Sequence, residues 1–120
     1  MAEHNILGNK GEDAATSFLA KKGYKIKARN WRFGKLEIDI IAETKNFIVF
    51  VEVKSRSGTY FEQPFQAVTK KKQKFIIKAA NAYIEDFEID LEARFDIVSI
   101  IEEKGKLKIN HIEDAYYPLV

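Results

Sequence analysis

The chain has 120 residues, 46% hydrophobic and 32% charged, with a formal net charge of +2. This suffices for one domain, 1–120, with a substantial core, and no run approaches the roughly 20 apolar residues of a membrane span. The absence of cysteine excludes disulfides and thiolate metal sites and fits a reducing cytoplasm, while the opening Met1-Ala2-Glu3-His4-Asn5 has neither the basic nor the apolar region of a signal peptide. A cytoplasmic protein with no membrane partner is expected. His4 and His111 stand far apart in polar surroundings and read as surface residues rather than zinc ligands.

The first predicted element is a helix over 9–22, closed by Gly23, a residue type suited to the position after a helix end. Gly8, Glu12, Ala15 and Leu19 recur at helical spacing and form a stripe with Phe18, which puts the Glu12 carboxylate on the sheet-facing side. A capping box between Asn9 and Glu12 is the other explanation of that acid. A strand over 24–32 follows, alternating Tyr24, Ile26 and Ala28 against lysines and Arg29.

Leu36-Glu37-Ile38-Asp39-Ile40-Ile41 and Phe50-Val51-Glu52-Val53-Lys54 then read as two strands whose charges are spaced two apart, so that each set shares a face. The only turn material between them is Glu43-Thr44-Lys45-Asn46. A hairpin centred there sets Asp39 opposite Glu52 and Glu37 opposite Lys54. Ile38 with Val53, Ile40 with Val51 and Ala42 with Val49 line the other, apolar face. Two carboxylates directly opposed on a strand pair are destabilising by up to about 1 kcal/mol, and a divalent cation between them would remove that cost.

A polar loop over 55–63 leads to Pro64, placed for the first turn of a long helix reaching Phe87. Its stripe is Val68, Ile76, Ala79, Ala80, Tyr83 and Phe87, interrupted by Lys72. That lysine either snorkels to the edge or reaches an anionic group held over the sheet. A strand over 94–101, a turn at Lys104-Gly105 and a strand over 106–112 complete the order αβββαββ, an α/β fold with a mixed sheet flanked by helices. Glu12, Asp39, Glu52, Lys54 and Lys72 are expected to converge on one helix–sheet crevice. Arg94 and Asp96 share a face and read as a structural ion pair rather than a phosphate contact, and Trp31 and Tyr60 read as packing residues rather than base-stacking platforms.

Basic residues are segregated: Lys70, Lys71, Lys72, Lys74 and Lys78 in one segment, Lys21, Lys22, Lys25, Lys27, Arg29 and Arg32 in another. Such runs suit a phosphate-rich partner, although solvated helix faces give the same pattern. Two carboxylates with a backbone carbonyl are hard oxygen ligands suited to Mg2+ or Mn2+. A metal there polarises a phosphoryl oxygen and acidifies a bound water, while Lys54 orients that water or neutralises transition-state charge.

Glu37-Ile38-Asp39 followed by Glu52-Val53-Lys54 resembles the PD-(D/E)xK motif of restriction-endonuclease-like nucleases. More closely, the segment from Gly8 through Ala15, Asn30-Trp31-Arg32, both hairpin strands, Ala67-Val68-Thr69 with Lys72, Arg94-Phe95-Asp96 and His111-Ile112-Glu113-Asp114-Ala115-Tyr116 resemble, in order, the YraN-like uncharacterised protein family 0102. That family usually has glycine where this chain has Leu36. The resemblance implies a restriction-endonuclease-like fold related to Holliday-junction resolvases. It also implies metal ligation by Asp39 and Glu52, a catalytic Lys54, accessory acids Glu12 and Glu37, and nucleic-acid contacts from Lys72, Lys70, Lys71 and Lys74. The expected function is Mg2+- or Mn2+-dependent hydrolysis of structured or branched nucleic acid, DNA ahead of RNA, by a protein that could act as a homodimer. A non-catalytic nucleic-acid-binding module and a protein-interaction domain are the alternatives.

Overall fold

Period-two alternation and a helical apolar stripe divide the chain into five strands and two helices in a computed structural model, which describes residues 2–57 and 68–116, with side chains from residue 10 onward. The elements are α1 (Ala2–Lys21), β1 (Lys25–Phe33), β2 (Leu36–Glu43), β3 (Phe47–Ser57), α2 (Lys70–Asp86), β4 (Glu92–Glu103) and β5 (Lys106–Tyr116), in the expected order αβββαββ. The strands lie side by side in chain order. β3 and β4 are parallel and the other neighbours antiparallel. A parallel pair cannot be joined by a tight turn, so the chain crosses over between β3 and β4 through α2.

The β2–β3 register is the one alternation requires: Ile40 pairs with Val51, Ile41 with Phe50, Ala42 with Val49 and Glu43 with Ile48. Thr44 closes the turn, its N–H donating to the Phe47 carbonyl (2.9 Å) and its hydroxyl accepting from the Phe47 N–H (3.1 Å). The second expected turn also forms, with Lys104 and Gly105 at φ of 51° and 77°, the double positive φ that matches the twist of a two-residue hairpin.

The core has two halves. Ile41, Ile48, Phe50, Phe95 and Ile97 pack with Ile76, Ala79, Ala80 and Tyr83 of α2. Ile40, Ala42, Val49, Val51, Val98 and Ile100 pack with Ala15 and Leu19 of α1. Alternate residues of β3 and β4 thus serve opposite helices, and the two helices cover opposite faces of the sheet. The expected single crevice beneath both helices is therefore replaced by one face per helix.

Several boundaries differ from expectation. Helix α1 begins at Ala2, so Asn9 lies inside it and cannot cap Glu12; the Glu12 carbonyl accepts from the Thr16 hydroxyl (2.7 Å). Helix α2 starts at Lys70 with Thr69 as its N-cap, while Pro64 and most of the expected loop lie outside the described residues. Phe87 is its C-cap and is 56% exposed, so the buried stripe ends at Tyr83. Strand β3 runs on to Ser57 because its parallel pairing with β4 continues to Glu102. Ile38 joins the α2-side core with Ile41 rather than the α1 side with Ile40. Opposite this point, between the Arg29–Ile40 and Trp31–Ile38 pairs, Asn30 takes a left-handed φ of 51°. That conformation breaks the alternation, so Trp31 and Ile38 turn together toward α2.

Gly11 is buried where α1 crosses β3, and a Cβ there would run into the Ser55 side chain. A rotation of the small Ser55 hydroxyl could make room for alanine but not for a larger side chain. Gly11→Leu, which improves helix propensity, should therefore lower stability by about 1–3 kcal/mol through overpacking. Urea unfolding checks this, and wild-type stability of the leucine variant would contradict the close approach.

Candidate functional site

Beyond the Ile40–Val51 pair the next residues on β2 and β3 are Asp39 and Glu52. Here a side chain replaces the backbone ladder: the Val53 N–H donates to Asp39 Oδ2 at 2.8 Å. Glu52 is 5% exposed and turns toward α2, where its Oε1 forms an ion pair with the Lys72 ammonium. The first turn of α2 fixes that lysine, because the Lys72 N–H donates to the capping Thr69 hydroxyl (3.2 Å). Lys72 thus reaches an anionic group over the sheet rather than snorkelling away from it. Lys54, two residues after Glu52 and on the same face, meets Lys72 side chain to side chain.

These contacts push the protonation equilibria apart. Burial and the Glu52 charge drive the Asp39 carboxyl up to about 8, against the Val53 N–H and the Lys72 charge. Burial and the neighbouring Lys72 charge lower Lys54. For Lys72, burial is outweighed by its hydrogen bond and ion pair with Glu52, and its pKa rises. One lysine is therefore a fixed cation and the other an amine that gives up its proton more easily.

Asp39, Glu52 and Lys72 line a cleft of about 260 Å3 together with Lys35, Leu36, Glu37, Phe75 and Ile76. Glu37 does not pair with Lys54 as the hairpin register suggested. It meets Arg32 of β1 (Nε to Oε2, 3.1 Å) and accepts from Asn30 Nδ2 (3.3 Å). Glu12 approaches from the α1 side and accepts from the same Asn30 Nδ2 at 2.7 Å. It stays outside the cleft lining and acts on Asp39 only as a lesser electrostatic influence. Lys70, Lys71 and Lys74 are exposed on α2. The exposed Phe75 ring in the cleft escaped the sequence reading, and its only signal was an apolar residue out of phase with the buried stripe.

Among the described residues no three His, Cys, Asp or Glu side chains cluster as a metal cage. Asp39 and Glu52 offer a pair of carboxylates, and burial together with the Glu52 charge raises the Asp39 pKa. Such a pair fits Mg2+, which retains waters and completes its shell with substrate phosphate, better than a metal needing a full protein cage.

A second charged cluster lies on the α1 face. Asp96, 0% exposed, receives Arg94 Nε and Nη2 (both 2.9 Å), the Asp114 N–H (3.0 Å) and His111 Nε2 (2.7 Å). Arg94 also donates to the Tyr24 hydroxyl (2.6 Å), as expected of a structural ion pair. His111 is not a surface residue: its side chain is 2% exposed. Lys22 Nζ lies 2.8 Å from its Nδ1, and an ammonium can only donate. Nδ1 is therefore the acceptor, and Nε2–H donates to Asp96. Burial alone would raise the Asp96 pKa, but the donors from His111, Arg94 and Asp114 outweigh it and hold the pKa low. The sequence hid this because the partners come from β4, from β5 and from the turn between α1 and β1. Trp31 packs edge-on against Tyr83 (5.2 Å), in keeping with a packing role, and Tyr60 lies outside the described residues.

Fold and cleft together define an α/β domain with a carboxylate–lysine cluster on one sheet face. The chain belongs to Uncharacterised protein family UPF0102, whose family model matches residues 11–100. It is 51% identical over 118 residues to a UPF0102 protein of Bacteroides thetaiotaomicron and 48% identical over 118 residues to one of Phocaeicola vulgatus, with 98% of each chain covered in both cases. UPF0102 protein FP2501 of Flavobacterium psychrophilum is 50% identical over 117 residues, again with 98% coverage of both chains.

The raised Asp39 pKa carries a stability consequence. Folding binds a proton between the ordinary carboxylate pKa of 3.8 and about 8, so stability falls as pH rises through that window. Asp39→Asn removes the charge and keeps an acceptor for Val53. It should be more stable than wild type by at least about 1.4 kcal/mol at pH 9, with a smaller gain at pH 5. Denaturant titrations at the two pH values check this, and an equal gain at both would refute the burial of two mutually repelling acids.

Removing Asp96 should act in the opposite sense. Asp96→Ala strands the Arg94 guanidinium without its buried partner and should cost about 3–5 kcal/mol. Thermal unfolding beside wild type is the check.

Proposed function

We propose that the protein is a metal-dependent nuclease of the restriction-endonuclease-like, PD-(D/E)xK type, acting on phosphodiester bonds of structured or branched nucleic acid, DNA ahead of RNA. The observation that carries this reading is the placement of the Asp39 and Glu52 carboxylates and the Lys72 ammonium on one cleft, with Lys54 against Lys72 on the same sheet face.

Asp39 and Glu52 would hold Mg2+, or Mn2+, through carboxylate oxygens. Bound there, the ion would supply Lewis-acid polarisation of a phosphoryl oxygen and acidify a water. Asp39 is oriented by the Val53 N–H, so its other oxygen is presented at a fixed angle. Lys72 neutralises Glu52 before substrate arrives and can transfer its hydrogen bonds to a phosphate oxygen. Lys54, two residues after Glu52 on the same face and against Lys72, is placed to orient the attacking water or to stabilise charge growing on phosphorus. Lys70, Lys71 and Lys74 supply backbone contacts that are independent of sequence. Glu12 and Glu37 are both tied to Asn30 and serve as accessory acids, Glu37 from the cleft lining and Glu12 from outside it.

A binding module without turnover is the second reading. It is favoured by the Lys72–Glu52 ion pair, which already balances one acid without a metal. A panel of linear, nicked, flap and four-way-junction DNA and structured RNA, incubated with Mg2+ or Mn2+, separates the two. Asp39→Ala and Glu52→Ala should each abolish cleavage while affinity stays near wild type or rises, because a charge repelling phosphate is gone. Lys54→Ala should lose cleavage and keep metal binding, and Lys72→Ala should lose part of both cleavage and affinity. Wild-type binding without cleavage anywhere on the panel would establish the binding module, and cleavage unchanged by Asp39→Ala would refute the assigned site.

A further inference from the structure

The cleft that holds the two acids has a second wall of a different character. Leu36, Phe75 and Ile76 line it beside the charged residues, with Phe75 and Ile76 on the same helix one turn beyond Lys72. Phe75 stands on α2 one turn beyond Lys71 and is 43% exposed. The Lys71 ammonium lies over one face of its ring, 5.9 Å from the centroid. The other exposed aromatics are engaged differently. Phe33 stacks on Trp31 at 6.4 Å with planes 7° apart, and Phe87 leans on Tyr83 at 4.5 Å. Of the large hydrophobic residues exposed among the described residues, Phe75 is the one in the cleft.

A sugar–phosphate backbone has nothing to place against an apolar wall, whereas a nucleobase has a flat π-face that stacks on an aromatic ring whatever its identity. In a continuous duplex the bases are stacked inside and cannot reach a side wall, so only an unpaired nucleotide can fill it. The cleft, at about 260 Å3, lies just below the usual range of small-molecule sites and suits one nucleoside-sized group. Lys35, Lys71 and Lys72 around it favour a polyanionic strand over a neutral aromatic ligand.

Resting on the nuclease reading above, we infer that Phe75 is a specificity-determining residue. It stacks an unpaired base beside the phosphate that Lys72 contacts next to Asp39 and Glu52, so the substrate class is a strand with a single-stranded nucleotide next to the scissile bond. A flap, gap or junction arm offers this and an intact duplex does not.

The test is metal-free fluorescence anisotropy with a short labelled single-stranded oligonucleotide and a blunt duplex of the same sequence, applied to wild type, Phe75→Ala and Phe75→Trp. Phe75→Ala should weaken single-strand binding by about 5- to 100-fold, the effect of losing one base–aromatic stack, with duplex affinity changed less than about two-fold. Phe75→Trp should retain single-strand affinity, and the oligonucleotide should quench its added tryptophan fluorescence beyond any quenching of Trp31 in wild type. Intact binding of both probes by Phe75→Ala, or equal loss on both, overturns the stacking role and leaves the nuclease reading standing. Failure of wild type to bind either probe at low salt overturns the nucleic-acid reading and the inference with it.

Discussion

The hydrogen bond from the Val53 N–H to Asp39 Oδ2 (2.8 Å) is the interaction on which the candidate site depends. A backbone N–H in a sheet interior must find an acceptor, since leaving one buried and unpaired costs about 1–3 kcal/mol. Here a side-chain carboxylate from the neighbouring strand supplies the acceptor. The consequence is local: β2 and β3 need not remain in ladder contact beyond Ile40 and Val51, and the space so opened receives the Glu52 and Lys72 side chains. Asp39 is therefore both a structural acceptor and an acid whose pKa burial raises.

Charge balance within the chain offsets the burial of Glu52. The Thr69 cap sets the start of α2, and that start delivers Lys72 to Glu52. A nearly buried carboxylate without a partner would be far more costly than any surface pair. The ammonium makes the site tolerable while remaining about 40% exposed itself, so a phosphate can compete for it from solvent. A salt bridge with one partner at the solvent boundary can be exchanged, whereas one sealed on both sides cannot.

Much of this was legible in the sequence where the rule was local. Alternation in β2 and β3, with a single candidate turn, dictated the register that the Ile40–Val51 and Ala42–Val49 pairs show. The intrusion of Lys72 into an apolar stripe marked a cation aimed at the sheet. What failed to show depended on distant partners. His111 reads as a solvated histidine among polar neighbours, because Lys22 and Asp96 meet it only through the fold. Ile38 changes faces because of the Asn30 backbone, in a strand whose composition suggests plain alternation. The start of α1 was masked by Asn9 and Glu12, which read as a capping box at its N-terminus although the helix begins at Ala2, and Gly11 serves the close approach to Ser55. The placement of helices on opposite faces was also hidden, since β3 and β4 are apolar on both sides and alternation alone does not say which helix takes which.

The two aspartates of the sheet interior show how environment separates structure from candidate chemistry. Asp96 accepts from a guanidinium, an imidazole and a backbone amide, and its pKa falls despite complete burial. Every lone pair that matters has a donor, so the group is committed to its charge and to its partners. Asp39 has one backbone donor and faces another carboxylate, and its pKa rises to about 8. The protein leaves it under-compensated on a face that opens to a cleft. Residues of the same type, in neighbouring parts of one sheet, are thus shifted in opposite directions by the number of donors within reach. A fully satisfied buried acid stabilises a fold; an incompletely satisfied one beside solvent retains an interaction to make with something that binds.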